Sequence, residues 1–190
     1  MCKGLVFAGM LEKFAQMMGN IKGLVVAVSL FLGLSSGVPP KKEQDAIRSD
    51  DEAAIRALEE RFIAAFNDGD IDAIMKNYIP DSSLVVFDVV PRKQYLGADA
   101  YRADWVDFFS HFEGKPKIAI TELGITVEGG IGFSHSRQHV TGMDKEGHAV
   151  DRWVRVTDGY RKIGGKWLIV MEHVSVPVDL GTGKVSSTGG

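Results

Sequence analysis

Cysteine is almost absent from this chain: of its 190 residues, only Cys2 carries a thiol. A single cysteine excludes a disulfide within the chain, and there is no C-x-x-C pair. Basic residues are also scarce for a nucleic-acid binder, because 22 Lys and Arg stand against 25 Asp and Glu, for a formal net charge of −3. This balance offers no broad basic surface and argues against general nucleic-acid binding.

Several catalytic motifs are missing as well. The chain has no Walker A loop, no H-E-x-x-H pair and no G-x-S-x-G turn. The sequence therefore gives no support to a P-loop nucleotide site, a zinc protease or a hydrolase with that serine turn. What remains is a chain of ordinary length for one domain with a real core.

The N-terminal region differs from the rest. A short apolar run at 23–34 follows a lysine and precedes small residues, which is typical of a secretory signal and too short for a comfortable transmembrane helix. We expect a signal peptide at 1–37, cleaved to leave an exported domain, periplasmic or secreted, with no stable membrane span. An uncleaved N-terminal membrane anchor is the alternative. Residues 38–48 are predicted to be a linker, and 180–190 a flexible tail.

Three amphipathic helices are predicted in the first half of the domain, which we place at 49–179. The first starts at Ser49, whose spacing to Glu52 matches a capping box, and the second starts at Asp70. The third covers 97–112 and has an unusually aromatic face. This face either packs against a sheet or forms the wall of a pocket, and the two roles are compatible.

Strands dominate the second half. One strand is predicted at 82–90, and from residue 115 onward alternating runs are separated by glycine-containing turns, which is typical of antiparallel hairpins. Helices that cover one face of such a sheet make an α+β fold. The last strand, within 166–179, is largely apolar on both faces and needs a second cover. We therefore expect a homodimer through the sheet face.

The order of these elements and three stretches of sequence resemble the nuclear transport factor 2-like superfamily, also called the SnoaL-like or ketosteroid isomerase-like fold. The stretches are FNDGDIDAIMKNYIPDSS, FDVVPRKQYLGADAYRADW and VRVTDGYRKIGGKWLIVMEHVSVPVD. The resemblance implies an α+β cone, in which a curved antiparallel sheet carries three helices on its concave face and encloses a pocket. Its members include isomerases, hydratases, cyclases and non-catalytic association domains.

The resemblance to ketosteroid isomerases also implies roles for particular residues. Asp88 falls near the general-base aspartate, and Asp158 looks similar to the second, proton-donating aspartate. Tyr78 and Trp105 fall where those enzymes have pocket tyrosines. Phe62 takes the position of the oxyanion-hole tyrosine and has no hydroxyl to donate. The chain therefore departs from steroid isomerase chemistry.

The last strand raises the question of where His173 points. His173 shares its strand parity with Ser175 and, on the two preceding strands, with Arg155 and His135. If this face is concave, these side chains are pocket groups for an anionic or carbonyl substrate. If it is convex, they form a polar cluster at the dimer interface.

The convex alternative brings a different set of side chains to the pocket, namely Gln138, Asp158 and Glu172. A bulge at Gly159 would reset the parity of the strand, so both placements stay open. A related SnoaL-like group ends in W-x-x-x-H-x-H-x-S-x-P, and here Met171 replaces the first histidine. With that histidine gone, we expect no metal site.

These features predict a small-molecule pocket protein, with two hypotheses. The first is a cofactor-independent acid–base enzyme of the isomerase, hydratase or cyclase type, acting on an apolar carbonyl compound. The second is a non-catalytic ligand-binding or homo-association module, so enzyme activity itself is left open. The catalytic candidates are Asp88 and His173. The substrate-binding candidates are Tyr78, Trp105, Phe109, His135, Gln138, Arg155 and Asp158.

Overall fold

The computed structural model describes residues 40–89 and 94–185 of the chain, so the predicted signal peptide at 1–37 lies outside the described residues. Among the described residues, no helix is long and apolar enough to cross a membrane. The elements are α1 (Lys41–Asp68), α2 (Ile71–Met75), β1 (Val85–Phe87), β2 (Tyr95–Leu96), α3 (Ala98–Ser110), β3 (Lys117–Glu128), β4 (Ile131–Met143), β5 (Ala149–Ile163) and β6 (Lys166–Ser175).

Helix α1 is longer than predicted. It begins at Lys41, so most of the linker expected at 38–48 is helical and Ser49 is not its first residue. The reason is visible in the sequence: after Pro40, no proline or glycine occurs before Gly69. Proline is well tolerated immediately before a helix, and nothing in the following segment stops the helix from propagating.

The other two helices begin and end close to their predicted positions. Helix α2 is capped by Asp70, whose side chain accepts a hydrogen bond from the backbone nitrogen of Ala73 at 2.9 Å. Helix α3 follows Gly97, which has a backbone φ of 86° that residues with a Cβ atom rarely adopt. Its aromatic face meets α1, since the ring of Trp105 lies 6.0 Å from that of Phe62.

The strands form one six-stranded sheet in the order β2-β1-β6-β5-β4-β3. All neighbouring strands run antiparallel except β1 and β6, which are parallel. Strand β1 is shorter than the strand expected at 82–90, and the short strand β2 was not predicted. The curved sheet carries the helices on its concave face and forms the α+β cone expected for this chain.

Asp51 anchors the first half of α1 to one end of the sheet. Its Oδ1 accepts hydrogen bonds from Lys162 Nζ at 2.6 Å and from Trp167 Nε1 at 3.0 Å. Burial disfavours the charged form of Asp51, but these two donors outweigh it and hold the pKa of the carboxyl below its ordinary value. The contact fixes the helix over the sheet.

Strand β6 contains a bulge opposite Gly159. Gly159 pairs with Met171, whereas the next residue of β5 pairs with Ile169, so Val170 is an extra residue on β6. The alternation of side chains is therefore shifted by one position within the strand. Because of this shift, Ile169 and Glu172 both point to the concave face, where both are buried.

Candidate functional site

A cavity of about 800 Å³ lies between the helices and the concave face of the sheet. Its walls on the helix side are mainly aromatic, and valines form much of the sheet side. The aromatic residues are Phe62, Phe66, Tyr95, Tyr101, Trp105, Phe108 and Phe112, and the valines are Val140, Val154, Val156 and Val174, with Val89 nearer the surface. Such a lining suits a largely apolar ligand.

Few polar groups interrupt this apolar lining. Glu172 and Gln138 are buried in the sheet side of the cavity, each only 6% exposed. The remaining polar lining residues, Asp88, Asp104, Asp107 and His111, are half-buried or exposed and so lie nearer the surface. The buried polar groups are therefore the ones best placed to fix the orientation of a bound molecule.

Two tyrosines hold the carboxyl group of Glu172. The hydroxyl of Tyr78 donates to Oε2 at 2.6 Å, and that of Tyr101 donates to Oε1 at 2.5 Å. Tyr101 comes from α3, whereas Tyr78 follows α2 in a segment that pairs with β6 through Ile169. Two separate elements thus fix both oxygens of one buried carboxyl group.

Burial raises the pKa of Glu172 from its ordinary value of 4.5 to about 7. The hydrogen bonds from Tyr101 and Tyr78 oppose this rise, and the negative charges of Asp88 and Glu59 add to it. A carboxyl group with a pKa near neutrality can both accept and donate a proton at physiological pH, which is what general acid–base catalysis requires.

A second buried carboxyl group lies next to Glu172. Asp158 pairs with Glu172 across β5 and β6, and burial together with the charge of Glu172 raises the pKa of Asp158 well above its ordinary value. Within the described part of the chain, Asp158 Oδ1 has no hydrogen-bond partner. Burial and the neighbouring charge of Glu172 therefore both favour the protonated form of this carboxyl group.

A hydrogen-bonded chain connects this pair to α1. Ser134 Oγ lies 3.5 Å from Asp158 Oδ2 and 2.7 Å from the hydroxyl of Tyr160, which in turn donates to Glu59 Oε1 at 2.7 Å. Burial raises the pKa of Glu59 as well. No group of three or more metal-binding side chains is arranged to hold an ion among the described residues. The carboxyl groups and hydroxyls form a buried hydrogen-bonded network.

Three of the predicted site residues line the cavity, namely Asp88, Trp105 and Gln138. Tyr78 contributes through its bond to Glu172, and Asp158 lies beside that carboxyl group. Asp88 follows β1 directly, is half-buried and accepts a hydrogen bond from the backbone nitrogen of Val89 at 2.6 Å. Phe109 packs against the aromatic core without lining the cavity.

Three other predicted residues lie on the opposite face of the sheet. His173 is exposed and contacts Phe87, with ring centroids 5.8 Å apart. Arg155 and His135 are exposed and have the same orientation on β5 and β4. Their placement in the pocket, one of the two alternatives from the sequence, is therefore wrong. The strand alternation from Glu172 onward puts His173 on the convex face.

Glu172 and Tyr101 are the main site residues missing from the sequence-based candidates. Glu172 was expected in the pocket only under the convex alternative for His173. Tyr101 belongs to the aromatic face of α3. That pattern predicted a pocket wall, but it did not predict that Tyr101 donates a hydrogen bond to a buried acid. The parity of β6 was the signal that could have identified Glu172, once the bulge at Val170 was taken into account.

Comparison with known proteins agrees with this fold. Residues 55–179 match the SnoaL-like domain. The chain belongs to the SnoaL-like domain family. An NTF2-like protein of unknown function from Pseudomonas putida is 30% identical to this SnoaL-like protein, with a TM-score of 0.66 over 73% of this chain and 95% of that one. Among curated proteins, no relative matches the chain.

Two further solved structures share the fold of this SnoaL-like protein. A protein from Xanthomonas campestris, assigned to the calcium/calmodulin dependent protein kinase II association domains, is 25% identical, with a TM-score of 0.56 over 64% of this chain and 84% of that one. A ketosteroid isomerase-like protein from Erwinia carotovora atroseptica is 22% identical, with a TM-score of 0.57 over 66% of this chain and 95% of that one. The resemblance to the nuclear transport factor 2-like superfamily is thus confirmed.

Proposed function

We propose that this SnoaL-like protein binds an apolar small molecule that carries a carbonyl group, and that Glu172 exchanges a proton with the carbon beside that carbonyl. The reaction class is an isomerisation, hydration or cyclisation, each of which includes a proton transfer at that carbon. The observation that carries the proposal is the carboxyl group of Glu172, fixed by two tyrosines in the wall of a mainly aromatic cavity.

The surroundings of Glu172 favour this chemistry. The burial of Glu172 among apolar side chains strengthens the electrostatic interactions of its carboxyl group. Tyr78 and Tyr101 hold the carboxyl in one orientation, so little reorganisation is needed when the proton moves. Asp88 lines the same cavity closer to the surface and supplies a second carboxylate. Asp158 is kept behind Glu172 as a neighbouring acid.

The test is hydrogen–deuterium exchange into a ketone, which detects proton abstraction before the natural reaction is known. The protein is mixed with 4-acetylbiphenyl in deuterated buffer, and loss of the acetyl methyl signal is followed by proton NMR. The native protein should accelerate exchange over buffer. Glu172→Gln should lower the rate by about a hundredfold or more, since that is the usual contribution of a positioned acid or base.

Two variants serve as comparisons in this assay. Glu128→Gln removes an exposed carboxyl at the end of β3 and should leave the exchange rate unchanged. Asp88→Asn tests the candidate predicted from the sequence. If Asp88→Asn abolishes exchange and Glu172→Gln does not, Asp88 is the base and the proposal for Glu172 is wrong. If 4-acetylbiphenyl binds with no accelerated exchange, the protein is a non-catalytic ligand-binding module toward such ketones.

The outer face of the sheet supports a second candidate function, homo-association. Phe87 and Phe133 are exposed there, 38% and 50% respectively, and Phe87 contacts His173. Exposed aromatic side chains next to polar groups are common at protein interfaces. The 25% sequence identity with the association-domain protein from Xanthomonas campestris also favours homo-association. We therefore propose that this face joins two copies of the chain.

Light scattering during gel filtration tests the association. The native protein should elute with the mass of a dimer, and Phe133→Lys should shift it to the monomer because a charge replaces an exposed apolar ring on the outer face of the sheet. Val106→Lys is the matched control, since Val106 is equally exposed but lies on α3. A native protein that is monomeric at high concentration would contradict this candidate.

A further inference from the structure

Gln138 is the second polar side chain buried in the cavity, and the proton-transfer proposal does not use it. Its carboxamide has two N–H donors and one acceptor oxygen. Within the described part of the chain, Gln138 Nε2 donates one side-chain hydrogen bond, to Ser136 Oγ at 3.5 Å. A contact of that length is weak, so most of the hydrogen-bonding capacity of Gln138 is directed to the cavity.

The strand register sets the distance between Gln138 and Glu172. Gln138 on β4 pairs with Val154, and Glu172 on β6 pairs with Asp158, so the two positions differ by two strand spacings across the sheet and four residues along β5. A rise of about 3.3 Å per residue and a strand spacing of about 4.8 Å place their Cα atoms about 16 Å apart. Both side chains point to the same concave face.

The cavity that holds these two groups is lined mainly by apolar side chains. Val156 and Val174 line it from the sheet, and the rings of Phe62 and Trp105 line it from the helices. Side chains that rise side by side from the sheet keep a separation of about 16 Å at their tips. One hydrogen bond of about 3 Å at each end leaves a span of about 10 Å between two polar atoms of a ligand.

We propose that the ligand is an elongated, mostly apolar molecule with an oxygen function at each end, about 10 Å apart. One oxygen belongs to the carbonyl that reacts at Glu172, and the other is a hydroxyl or carbonyl held by Gln138. This inference rests on the proposed function for the position of the first oxygen. Gln138 then determines which compounds are bound, because a buried amide left without a partner weakens the binding of ligands that lack the second oxygen.

Matched biphenyl ketones test the inference. The three probes are 4-acetylbiphenyl, its 4′-hydroxyl derivative and its 2′-hydroxyl derivative. In the 4′-hydroxyl derivative, the two oxygens match the span of about 10 Å. Dissociation constants are measured by calorimetry for the native protein and for Gln138→Leu, which keeps the size of the side chain and removes its polar atoms. Gln138→Met is a second variant, in case leucine impairs folding.

In the native protein, the 4′-hydroxyl group should strengthen binding about five- to tenfold over 4-acetylbiphenyl, the usual value of one neutral hydrogen bond. The 2′-hydroxyl group should give no gain. In Gln138→Leu, the gain should disappear, and 4-acetylbiphenyl should bind at least as tightly as it does to the native protein, because no amide is left without a partner. The inference is overturned if the 4′-hydroxyl gain persists in both variants, or if the variants weaken all three ketones equally.

Deuterium exchange into the acetyl group separates this inference from the proposed function. If exchange depends on Glu172 but the affinity gain from the 4′-hydroxyl group persists in Gln138→Leu, the role of Gln138 is refuted and the proton transfer is not. A gain that depends on Gln138, with no exchange, supports the two-ended ligand and refutes the proton transfer.

Discussion

Replacing Glu172 by glutamine should remove much of the pH dependence of folding stability between pH 5 and 8. In the folded protein Glu172 has a pKa of about 7, against an ordinary value of 4.5. Between these values the folded state holds a proton that the unfolded state has lost. Stability from this group is therefore fully present below pH 4.5 and is lost as the pH rises through 7.

The size of the effect follows from the two pKa values. Each tenfold change in proton affinity is worth about 1.4 kcal/mol, so the rise to about 7 costs the folded protein about 3 kcal/mol once Glu172 is ionised. Glutamine has nearly the same shape and cannot ionise. Glu172→Gln should match the native protein within about 1 kcal/mol near pH 5 and exceed its stability by about 3 kcal/mol at pH 8.

Urea denaturation at pH 5, 6, 7 and 8 measures this difference, with the free energy of unfolding taken from linear extrapolation. Glu128→Gln is the control, because it removes an exposed carboxyl group. Asp158 and Glu59 also have raised pKa values, so part of the slope should remain in the variant.

Two results would refute the reasoning. If the curves for the native protein and Glu172→Gln run parallel from pH 5 to 8, Glu172 does not gain a proton on folding. If Glu172→Gln is less stable than the native protein at pH 8, the ionised carboxylate is the form that the two tyrosines stabilise. The hydrogen bonds would then outweigh the cost of burial, contrary to the direction inferred from the structure.

Two further predictions concern neighbours of the site. Tyr101→Phe removes the hydrogen bond that Tyr101 donates to Glu172, so it should raise the pKa of that carboxyl further and cost about 2 kcal/mol in stability above pH 7. Carbon-13 NMR of the glutamate carboxyls measures the pKa. An unchanged titration of Glu172 would contradict the contact. Gly142→Ala places a Cβ 2.9 Å from the ring of Phe112 and should cost about 1–3 kcal/mol. Gly130→Ala meets nothing within 4 Å and should change stability by less than about 0.5 kcal/mol, so equal effects in thermal denaturation would contradict the packing.

Local patterns predicted most of the elements. The cap at Asp70, the aromatic face of α3 and the glycine-containing turns between the later strands each depend on residues close in sequence, and the structure agrees with them. The parallel pairing of β1 with β6 was missed because it joins Val85 to Met171, across most of the domain. No local periodicity reports a contact over that distance.

The candidate site was predicted less completely, for a related reason. Asp88, Trp105 and Gln138 do line the cavity, but Glu172 depends on one extra residue in β6 that shifts every later side chain to the other face. The alternation of apolar and polar residues in that strand fits either placement, because both of its faces are largely apolar. His173 was therefore predicted as a catalytic candidate, although its neighbour Glu172 is the residue that lines the cavity.

The bulge also bears on how this site can change during evolution. Deleting Val170 alone would restore a regular ladder between β5 and β6, and the positions after it would keep their partners and their faces. Glu172 would still point to the cavity, but it would follow Ile169 by two positions in the sequence instead of three. Two relatives that differ by one residue in this strand can thus carry the same acid at the same place in the cavity, at different spacings in the sequence. Alignments of such relatives should be anchored on the pairing with Gly159 rather than on sequence alone.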